Sequence, residues 1–454
     1  MKKNIDKIED KEQLINWFKS GFKKKSDWMV GTEHEKFAYT FSQKKNKYIP
    51  LTYDGKIGIN SFLRELSKFG WNPVYEKKNI IALKNKLQSI TLEPGGQIEL
   101  SGAPLKSLHN TCKETNEHLK LVKDIGKKLD ILLVGLGVRP NETFSEVPFM
   151  PKARYQIMRK YMPKKGNRGL EMMHSTCTVQ ANLDFDSELD MINKVRLAVK
   201  IQPIVTALFA NSPFYEGSNN GFESLRRHIW TDTDPDRCGV LKVALEEDFG
   251  FNSYVDFALS VPMYFIVREN KYVDCSGKSF ADFLEGKLDI MPGEKPTMRD
   301  WEDHLSTIFT EVRLKKFIEV RGADAGNWKR TCALPAFWVG VLYGEDSIRL
   351  AEKICDKWTL DDIENLSNDV AKKGLDAEIN GEKVIGIARD LIEIARNSLT
   401  KRNVKDAMGN NESVYLNVLE DILHKKISPA KELLNNFSKE YNNNMEKLLK
   451  GIAY

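Results

Sequence analysis

The sequence predicts an α+β protein built around an antiparallel sheet, and three observations favour this class. Strand-like segments with alternating side chains follow one another in hairpin order near the N-terminus. Long helical patterns separate the later strands without regular βαβ alternation, which argues against a parallel sheet. From about Ala333 the pattern is largely helical, so residues 345–454 are expected to be a mainly helical part of one domain, 1–454.

Each element is predicted from its hydrophobic period and its end signals. Ile5, Leu14 and Phe18 approximate one face of an amphipathic helix, and Ser187 or Asp186 is a plausible N-cap for a later one. In chain order the predicted elements are a helix over 5–24, a strand over 29–42 with a polar turn, a helix over 60–69, two strands joined by a Pro-Gly-Gly turn over 80–101, a helix over 105–129, strands over 131–138 and 177–186, a helix over 187–210, and strands over 261–268 and 314–324.

Composition and charge narrow the function classes. The chain has 454 residues, 41% hydrophobic and 29% charged, with a net charge of only +5. Basic and acidic residues are interspersed, so a nucleic-acid partner is not indicated. The N-terminus lacks an apolar signal core and no apolar stretch is long enough to span a bilayer, so we expect a cytoplasmic protein with no membrane partner. Six separated cysteines without a CxxC pair argue against a zinc knuckle.

Three familiar binding loops are excluded because one or two of the residues that each loop requires are replaced. GLGVRP begins like a dinucleotide loop, but Pro140 stands where the third glycine is needed. The GKS triplet resembles the end of a P-loop, yet Tyr272 occupies the position of its first glycine. TDTDPD has the aspartate spacing of a calcium loop, but Arg237 and Val243 replace its glycine and its bidentate glutamate. A nucleotide, if bound, is therefore not held by either common glycine-rich loop.

Glutamates recur on the predicted strands. In GTEHEKF, Glu33 and Glu35 share one strand face, and alone they fit either a solvated face or a metal or acid–base site. Glu93 precedes the Pro-Gly-Gly turn, Glu99 follows it, and Glu319 lies among apolar residues in FIEVRGAD. A buried glutamate is costly unless it is paired or metal-bound, and for Glu319 an arginine salt bridge is an equally open explanation.

Taken together, the five glutamates favour a metal. Several carboxylates on one sheet face are unfavourable without cations between them. Oxygen ligands without a Cys/His cluster suit Mg²⁺, which keeps several waters and bridges phosphates. Arg154, Arg226 and Arg227 add guanidinium groups that bind carboxylates bidentately, although each alone is also explained as a surface ion pair. The sequence therefore predicts an Mg–nucleotide site built on a sheet.

Long motifs in this chain resemble those of plant-type glutamate–cysteine ligases, a family that proteobacteria also carry. The resemblance covers about residues 28–345 densely and the rest more weakly. The motifs are GTEHEKF, LEPGGQIELSGAPLKSLHNTC, MPKARYQIMRKYMP, CTVQANLDF, LFANSPF, SLRRHIWTDTDPDR, VPMYF, KYVDCSG and LKKFIEVRGADAGNWKRTCALPAFWVG. It implies a glutamine-synthetase-like catalytic fold, in which a curved antiparallel sheet forms a funnel with helices outside. It also implies an ATP-dependent ligase that joins L-glutamate to L-cysteine in the first step of glutathione biosynthesis.

The resemblance also implies roles for individual residues. Glu33, Glu35, Glu93, Glu99 and Glu319 would be the Mg²⁺ ligands, and Gln180 and Asn182 would lie on the floor of the site. Arg226 would hold the α-carboxylate of glutamate, Arg154 would lie near cysteine or phosphate, and Arg321 would act on phosphate. Lys329 and Arg330 are candidates for phosphate contact, with surface charge as the alternative. The oligomeric state is expected to be a monomer or a homodimer.

The chain also departs from the plant members. Its motifs begin without their long N-terminal transit segment, so we expect no chloroplast address and a cytoplasmic location. Plant members resemble one another in carrying two regulatory disulfides. Cys112 and Cys332 match one pair, whereas Ile290 stands at the partner position of Cys275, so the second disulfide is not expected.

Other functions stay open at this point. The nearest is a ligase of the same fold that joins glutamate to a different amine, which a panel of amine substrates would distinguish. A Mg–nucleotide phosphotransferase would leave a phosphorylated product instead of free phosphate. A catalytically silent binding protein would not bind Mg–ATP tightly.

Overall fold

A computed structural model describes residues 7–454, and its centre is one large antiparallel sheet. Ten strands join it in the order β15–β16–β8–β1–β6–β5–β4–β3, with β2 and β7 added along β1. Four two-stranded pairs lie outside this sheet in the described part of the chain. The strands are β1 Val30–Ser42, β2 Lys47–Pro50, β3 Asn72–Glu76, β4 Asn79–Asn85, β5 Gln88–Leu92, β6 Ile98–Ser101, β7 Ile131–Val134, β8 Thr178–Leu183, β9 Phe214–Tyr215, β10 Ser218–Asn219, β11 Cys238–Gly239, β12 Phe265–Arg268, β13 Lys271–Asp274, β14 Phe309–Thr310, β15 Val312–Leu314, β16 Ile318–Asp324, β17 Glu378–Ile379 and β18 Glu382–Lys383.

Helices surround the sheet and make up most of the C-terminal region. They are α1 Lys11–Lys19, α2 Ile59–Ser67, α3 Leu108–Leu129, α4 Ala153–Tyr161, α5 Gly169–Ser175, α6 Glu188–Phe209, α7 Leu225–Trp230, α8 Phe251–Ser260, α9 Phe280–Leu284, α10 Met298–Leu305, α11 Trp328–Leu342, α12 Glu345–Cys355, α13 Leu360–Lys373, α14 Val384–Arg402, α15 Asn417–Lys425, α16 Pro429–Lys439 and α17 Met445–Gly451. No helix within residues 7–454 combines the length and the apolar character that crossing a membrane requires.

Strand β1 is the central strand and serves two parts of the sheet. Residues 30–36 lie between β6 on one side and β8 on the other. Residues 37–42 pair instead with β7 and β2. The half of β1 that carries Glu33 and Glu35 is therefore flanked by two strands, which fixes the position of both carboxylates in the middle of the sheet.

The apolar core covers one face of this part of the sheet and leaves the other face to polar residues. Val179 and Ala181 of β8 pack with α6 and α11 in the largest core cluster. Ile98 and Leu100 of β6 pack with α2 and α3 in a second cluster. Since side chains alternate along a strand, the residues between these apolar ones must face the opposite side. The core thus determines which face can hold the site.

The predicted α+β class, with an antiparallel sheet, helices outside it and a helical C-terminal region, is confirmed. The first helix begins only at Lys11, because Asp10 caps it and accepts a hydrogen bond from Gln13 N; Ile5 lies outside the described residues. Strand β3 and the division of residues 79–101 into three strands were not predicted. Helices α4, α5 and α7 were also missed, since they are too short for a hydrophobic period to be recognised.

Candidate active site

Four neighbouring strands place the predicted polar residues on one face of the sheet. Glu35 of β1 lies opposite Glu99 of β6, and Glu33 lies opposite Gln180 of β8. Asn182 lies opposite Glu319 of β16. Directly opposed residues in antiparallel strands share a face. The sheet therefore gathers four of the five glutamates with the two amides on one side, the carboxylate face, which consists of Glu33, Glu35, Glu99, Glu319, Gln180 and Asn182. Glu319 is fully buried and Glu99 almost so, which excludes a merely solvated strand face.

The fifth glutamate, Glu93, reaches the same site from a turn. It follows β5 and its amide donates to Gln97 O, which closes the Pro-Gly-Gly turn before β6. Tyr155 of α4 donates its hydroxyl proton to Leu92 O at 2.5 Å, and the same hydroxyl lies 3.4 Å from the Glu93 carboxylate. Glu93 and Glu35 line a common cavity. The structure therefore brings together all five carboxylates that the sequence singled out.

Like charges crowd the side of the site near β1 and β6. Burial raises the pKa of Glu35 well above its usual range, and the carboxylates of Glu93 and Glu99 raise it further. Burial likewise raises the pKa of Glu33 to about 7, with Glu319 and Glu99 as the next contributions. Arg226 counters this for Glu35 only in part. A carboxylate group with so little compensating charge is suited to binding a cation.

Glu319, in contrast, is fully compensated. Its Oε2 accepts hydrogen bonds from Arg313 Nε and from Arg321 Nη1 at 3.1 Å, and its Oε1 lies 3.2 Å from Lys315 Nζ. Burial would raise the pKa of Glu319, but these three cations outweigh burial and hold the pKa well below its usual range. The salt-bridge explanation that the sequence left open thus holds in this structure.

Arg313 and Lys315 were not predicted from the sequence. Both lie next to Glu319 because β15 and β16 form a hairpin in which Arg313 is paired with Glu319. The signal was present in VRLKKFIEV, where basic residues on one side of a short turn face an acidic residue on the other. Without the strand pairing, however, the register of that hairpin is not defined.

The arginines line a cavity of about 100 Å³ beside the carboxylates. Arg154 comes from α4, Arg226 from α7 and Arg321 from β16, and Trp230 of α7 lies with them. The Nε–H groups of Arg154 and Arg226 and the indole N–H of Trp230 are buried without a hydrogen-bond partner in the described part of the chain. Since buried donors are nearly always paired in folded proteins, these three are expected to meet acceptors from a ligand.

The rest of the cavity wall was not predicted. It includes Met172 and Met173 of α5, Phe265 of β12, and Thr178, whose backbone N–H donates to Glu35 Oε2 at 3.0 Å. A methionine on a helix resembles any core residue in sequence, so these positions carry no local signal. The wall therefore combines apolar side chains with strongly charged ones.

The remaining predicted residues occupy two different places. Arg321 Nη1 donates to Gln180 Oε1 at 2.7 Å, and Asn182 Nδ2 donates to Glu33 Oε1 at 2.8 Å, so both amides belong to the carboxylate face. Lys329 and Arg330 lie in the first turn of α11, beyond the end of β16, and are not part of the cavity wall. Lys329 is exposed, as its alternative explanation required. Arg330 is half-buried, and its Nε also has no partner among residues 7–454.

The donor set on this face fits a hard cation such as Mg²⁺. Within residues 7–454, no group of three or more Asp, Glu, His or Cys side chains is already arranged to enclose a metal ion. Mg²⁺ does not need one, because it commonly keeps several waters and takes only one or two carboxylates plus phosphate oxygens. The buried Oδ1 of Asn182 has no donor partner in the described chain, so it too is available as an oxygen ligand. Glu319 fits less well, since both of its oxygens already accept from cations.

The two cysteines that match a regulatory pair lie side by side. Cys112 of α3 and Cys332 of α11 are both buried free thiols, and the Cys332 thiol is near enough to contribute to the raised pKa of Cys112. Burial raises the pKa of the Cys112 thiol far above its usual range. The disulfide is therefore not formed in this structure, although the two residues are neighbours.

Comparisons with known proteins agree with this geometry. The sequence model of the glutamate–cysteine ligase family 2 matches residues 29–450. The chain is 47% identical over 445 residues to the chloroplastic glutamate–cysteine ligase of Medicago truncatula, covering 98% of this chain and 85% of that protein. It is also 47% identical over 444 residues to that of Arabidopsis thaliana, covering 98% and 83%. A crystal structure of a glutamate–cysteine ligase from Francisella tularensis in complex with AMP has the same fold, with a TM-score of 0.57 at 12% identity over 95% of this chain and 90% of that chain.

The same relatives correct one prediction. The expected cytoplasmic location is wrong by this comparison, because the relatives at 47% identity are chloroplastic proteins. The expectation was based on the lack of a signal core or transit segment and on six separated cysteines, which were interpreted as reduced thiols.

Proposed function

The chain belongs to the glutamate–cysteine ligase family 2, and from that premise we infer that it joins the γ-carboxylate of L-glutamate to the amine of L-cysteine with hydrolysis of ATP. The product, γ-glutamylcysteine, is the first intermediate of glutathione biosynthesis. The observation that carries the link to this site is the cavity that combines Glu35 and Glu93 with guanidinium N–H groups that have no partner among residues 7–454. Such a site can hold an anionic amino acid next to a metal–phosphate group.

The reaction needs two steps because a carboxylate is a poor electrophile. An oxygen of the γ-carboxylate attacks the γ-phosphorus of ATP, which forms γ-glutamyl phosphate and releases ADP. The amine of cysteine then attacks the acyl carbon, loses a proton, and expels inorganic phosphate. Charge develops on the phosphoryl oxygens in the first step, and a site that stabilises it by position and charge needs no covalent enzyme nucleophile.

We propose the following roles for the arginines of the cavity. Arg226 holds the α-carboxylate of glutamate, and its unpaired Nε–H and its position on the cavity wall support this role. Arg321 acts on phosphate from the boundary between the cavity and the carboxylate face, where it also contacts Gln180. Arg154, near Glu93 and Tyr155, lies on the side that receives cysteine or phosphate.

The carboxylate face is proposed to bind Mg²⁺. Glu33, Glu35, Glu93 and Glu99, with Asn182, supply oxygen ligands, and a bound Mg²⁺ neutralises phosphate charge during transfer. Glu319 stays a proposed ligand, and binding there requires that one of its three cations release an oxygen. Gln180 orients Arg321 at the floor of the site.

We also propose that residues 1–454 form one catalytic domain, with residues 345–454 as its helical part. The largest core cluster supports this, because it includes Phe18 near the N-terminus, Leu208 of α6, Trp338 of α11, Leu391 of α14 and Leu419 of α15. A monomer or a homodimer stays the prediction for the oligomeric state.

The decisive experiment measures phosphate release by the purified protein with ATP, Mg²⁺ and L-glutamate. We expect strong release only when L-cysteine is added, together with γ-glutamylcysteine identified by mass spectrometry. Replacing cysteine with a panel of other amines tests the neighbouring ligase activity. Phosphate release that ignored cysteine, or a better rate with another amine, would contradict the assignment. A stable phosphorylated product would indicate a phosphotransferase instead.

A further inference from the structure

Helix α7, which carries Arg226, is too short to define its own orientation. It has only six residues, Leu225–Trp230, and isolated helices of this length are unstable in water. Its direction must therefore come from contacts at its ends. Any group that controls its N-terminus also controls where the Arg226 guanidinium enters the cavity.

A buried carboxylate occupies the N-terminal end of α7. Asp324, the last residue of β16, is 2% exposed and is not part of the cavity wall. Its Oδ1 accepts from Ser224 Oγ at 2.9 Å, and its Oδ2 accepts from Ser212 Oγ at 2.7 Å and from Asn211 N–H at 2.8 Å. Burial raises the pKa of Asp324, and the positive charge of the nearby Arg226 guanidinium and these three donors oppose that rise. Asp324 is therefore coupled to Arg226 by charge as well as through the two serines.

The hydroxyl groups of Ser212 and Ser224 connect Asp324 to the backbone of α7. Because each hydroxyl has one proton and donates it to Asp324, each presents its lone pairs elsewhere. Ser224 Oγ accepts from Arg227 N–H at 3.2 Å as the N-cap, and Ser212 Oγ accepts from Arg226 N–H at 3.2 Å. A carboxylate is the group that accepts from both hydroxyls at once, so it sets the direction of both.

Strand β16 holds Arg226 at its other end as well. Arg226 Nη2 donates to the carbonyl oxygen of Arg321 at 2.9 Å. Both the backbone and the guanidinium of Arg226 are thus tied to one strand, which also carries Arg321 into the cavity. Gly137 leaves room for this anchor, since a Cβ there would lie 2.4 Å from Asp324 Oδ2.

We propose that Asp324 is a positioning residue for glutamate binding, which acts through Ser212 and Ser224 to hold Arg226 in the cavity without touching either amino acid. This inference rests on the proposed function, because it assumes that Arg226 binds the α-carboxylate. It predicts a selective effect. Loss of the anchor weakens the use of L-glutamate and leaves the use of ATP nearly unchanged, since within residues 7–454 Asp324 accepts hydrogen bonds only from Asn211, Ser212 and Ser224 and contacts none of the carboxylates proposed to bind Mg²⁺.

The test uses Asp324→Asn and the milder Ser224→Ala in the full-length protein, with separate KM values for glutamate and ATP. The amide introduced by Asp324→Asn keeps the shape of the side chain but has only one acceptor oxygen, so it cannot accept from Ser224 on one side and from Ser212 and Asn211 on the other. We therefore expect the KM for L-glutamate to rise about tenfold and the KM for ATP to change less than about twofold. Glu412→Gln is the control: Glu412 is also a fully buried carboxylate at a helix N-terminus, where it accepts from Leu108 N–H, although it also pairs with Arg402, and it lies away from the cavity.

A double-mutant cycle separates positioning from general stability. If Asp324 acts through Arg226, then Asp324→Asn adds little to the glutamate KM once Arg226→Lys is present. An unchanged glutamate KM in Asp324→Asn and Ser224→Ala, additive effects in the cycle, or equal losses for all substrates as in Glu412→Gln would overturn the inference. If Asp324→Asn fails to fold, the Ser224→Ala result decides. Failure of the proposed function looks different, because the wild-type protein would then make no γ-glutamylcysteine.

Discussion

Glu35 and Glu319 lie on one face of the same sheet, yet their surroundings give them opposite properties. Glu35 is crowded by Glu93 and Glu99, and burial with this repulsion raises its pKa well above the usual range. Glu319 is surrounded by Arg313, Lys315 and Arg321, which hold its pKa well below that range. At the scale of single residues, the first resembles an incomplete cation site and the second a completed ion-pair cluster.

We expect Glu35→Gln to abolish Mg²⁺-dependent turnover without lowering stability. The substitution removes a buried charge that has too few partners, so the folded protein loses no favourable ion pair. Turnover should fall at least about 100-fold, since electrostatic stabilisation of phosphoryl transfer is lost. Steady-state rates across an Mg²⁺ titration and urea unfolding measure both effects. Glu114→Gln, a buried carboxylate on α3, is the control, and equal activity of the two variants would remove Glu35 from the site.

We expect Glu319→Gln to lower both activity and stability. It leaves three cations near a buried position without their counter-ion, a change that costs about 3–5 kcal/mol in buried ion pairs. Urea denaturation of the variant and the wild type measures the loss. Glu65 contacts two lysines, Lys68 and Lys128, at the surface, so Glu65→Gln should change stability little. A Glu319→Gln protein as stable as the Glu65→Gln protein would refute the importance of the cluster.

At the scale of secondary-structure elements, the turn between β5 and β6 determines the position of Glu93. The Pro-Gly-Gly turn was predicted from sequence, but its contact with α5 was not. A Cβ on Gly95 would lie 2.2 Å from the carbonyl oxygen of His174, at the end of α5. The turn can approach the helix this closely only because residue 95 has no side chain.

Gly95→Ala should therefore displace the turn and weaken Mg²⁺ use. The obstacle is backbone and not a flexible side chain, so the turn and Glu93 must move away from the site. We expect a several-fold higher Mg²⁺ requirement for turnover and a lower melting temperature. Gly386→Ala on α14 is the control, because its Cβ would meet nothing closer than 4.0 Å, and alanine there should be neutral or slightly stabilising. If both variants behave alike, the close contact is unimportant.

Long helices and strands with a clear hydrophobic pattern were predictable from the sequence. The short helices that complete the site were not. Strand β1, helix α3 and helix α6 follow their hydrophobic patterns closely. Helices α4, α5 and α7 supply Arg154, Met172 and Arg226 to the cavity, but their positions are set by tertiary contacts such as the Asp324 anchor. Local sequence therefore identified reactive residues without identifying the elements that hold them.

At the scale of the whole molecule, buried histidines make the stability of the fold depend on pH. Burial lowers the pKa of His304 to about 4, and burial, with Arg159 and Arg139 nearby, lowers that of His174 to about 4. An unfolded chain binds a proton on each near pH 6.5, so it takes up more protons than the folded protein between pH 6.5 and 4. Stability from these groups is thus complete above about pH 6.5 and is lost as the pH falls.

We expect each of these histidines to remove roughly 2 kcal/mol of unfolding free energy between pH 6.5 and 5. His304→Gln keeps a donor for the carbonyl of Ala258, which lies 2.8 Å from His304 Nε2, but cannot titrate. Its unfolding free energy should depend less steeply on pH than that of the wild type. His424→Gln, at an exposed position, is the control. Parallel pH profiles for His304→Gln and the wild type would contradict the expectation.

The sequence by itself determined the chemistry: which carboxylates and arginines are available, and that an antiparallel sheet would carry them. Alternation along a strand is a local property, so Glu33 and Glu35 had to share a face in any such sheet. Only the tertiary structure decided which residues become partners, since strand register and helix docking depend on contacts between distant segments. That is why Glu319 acquires Arg313 and Lys315, why Arg226 depends on Asp324, and why Lys329 stays at the surface.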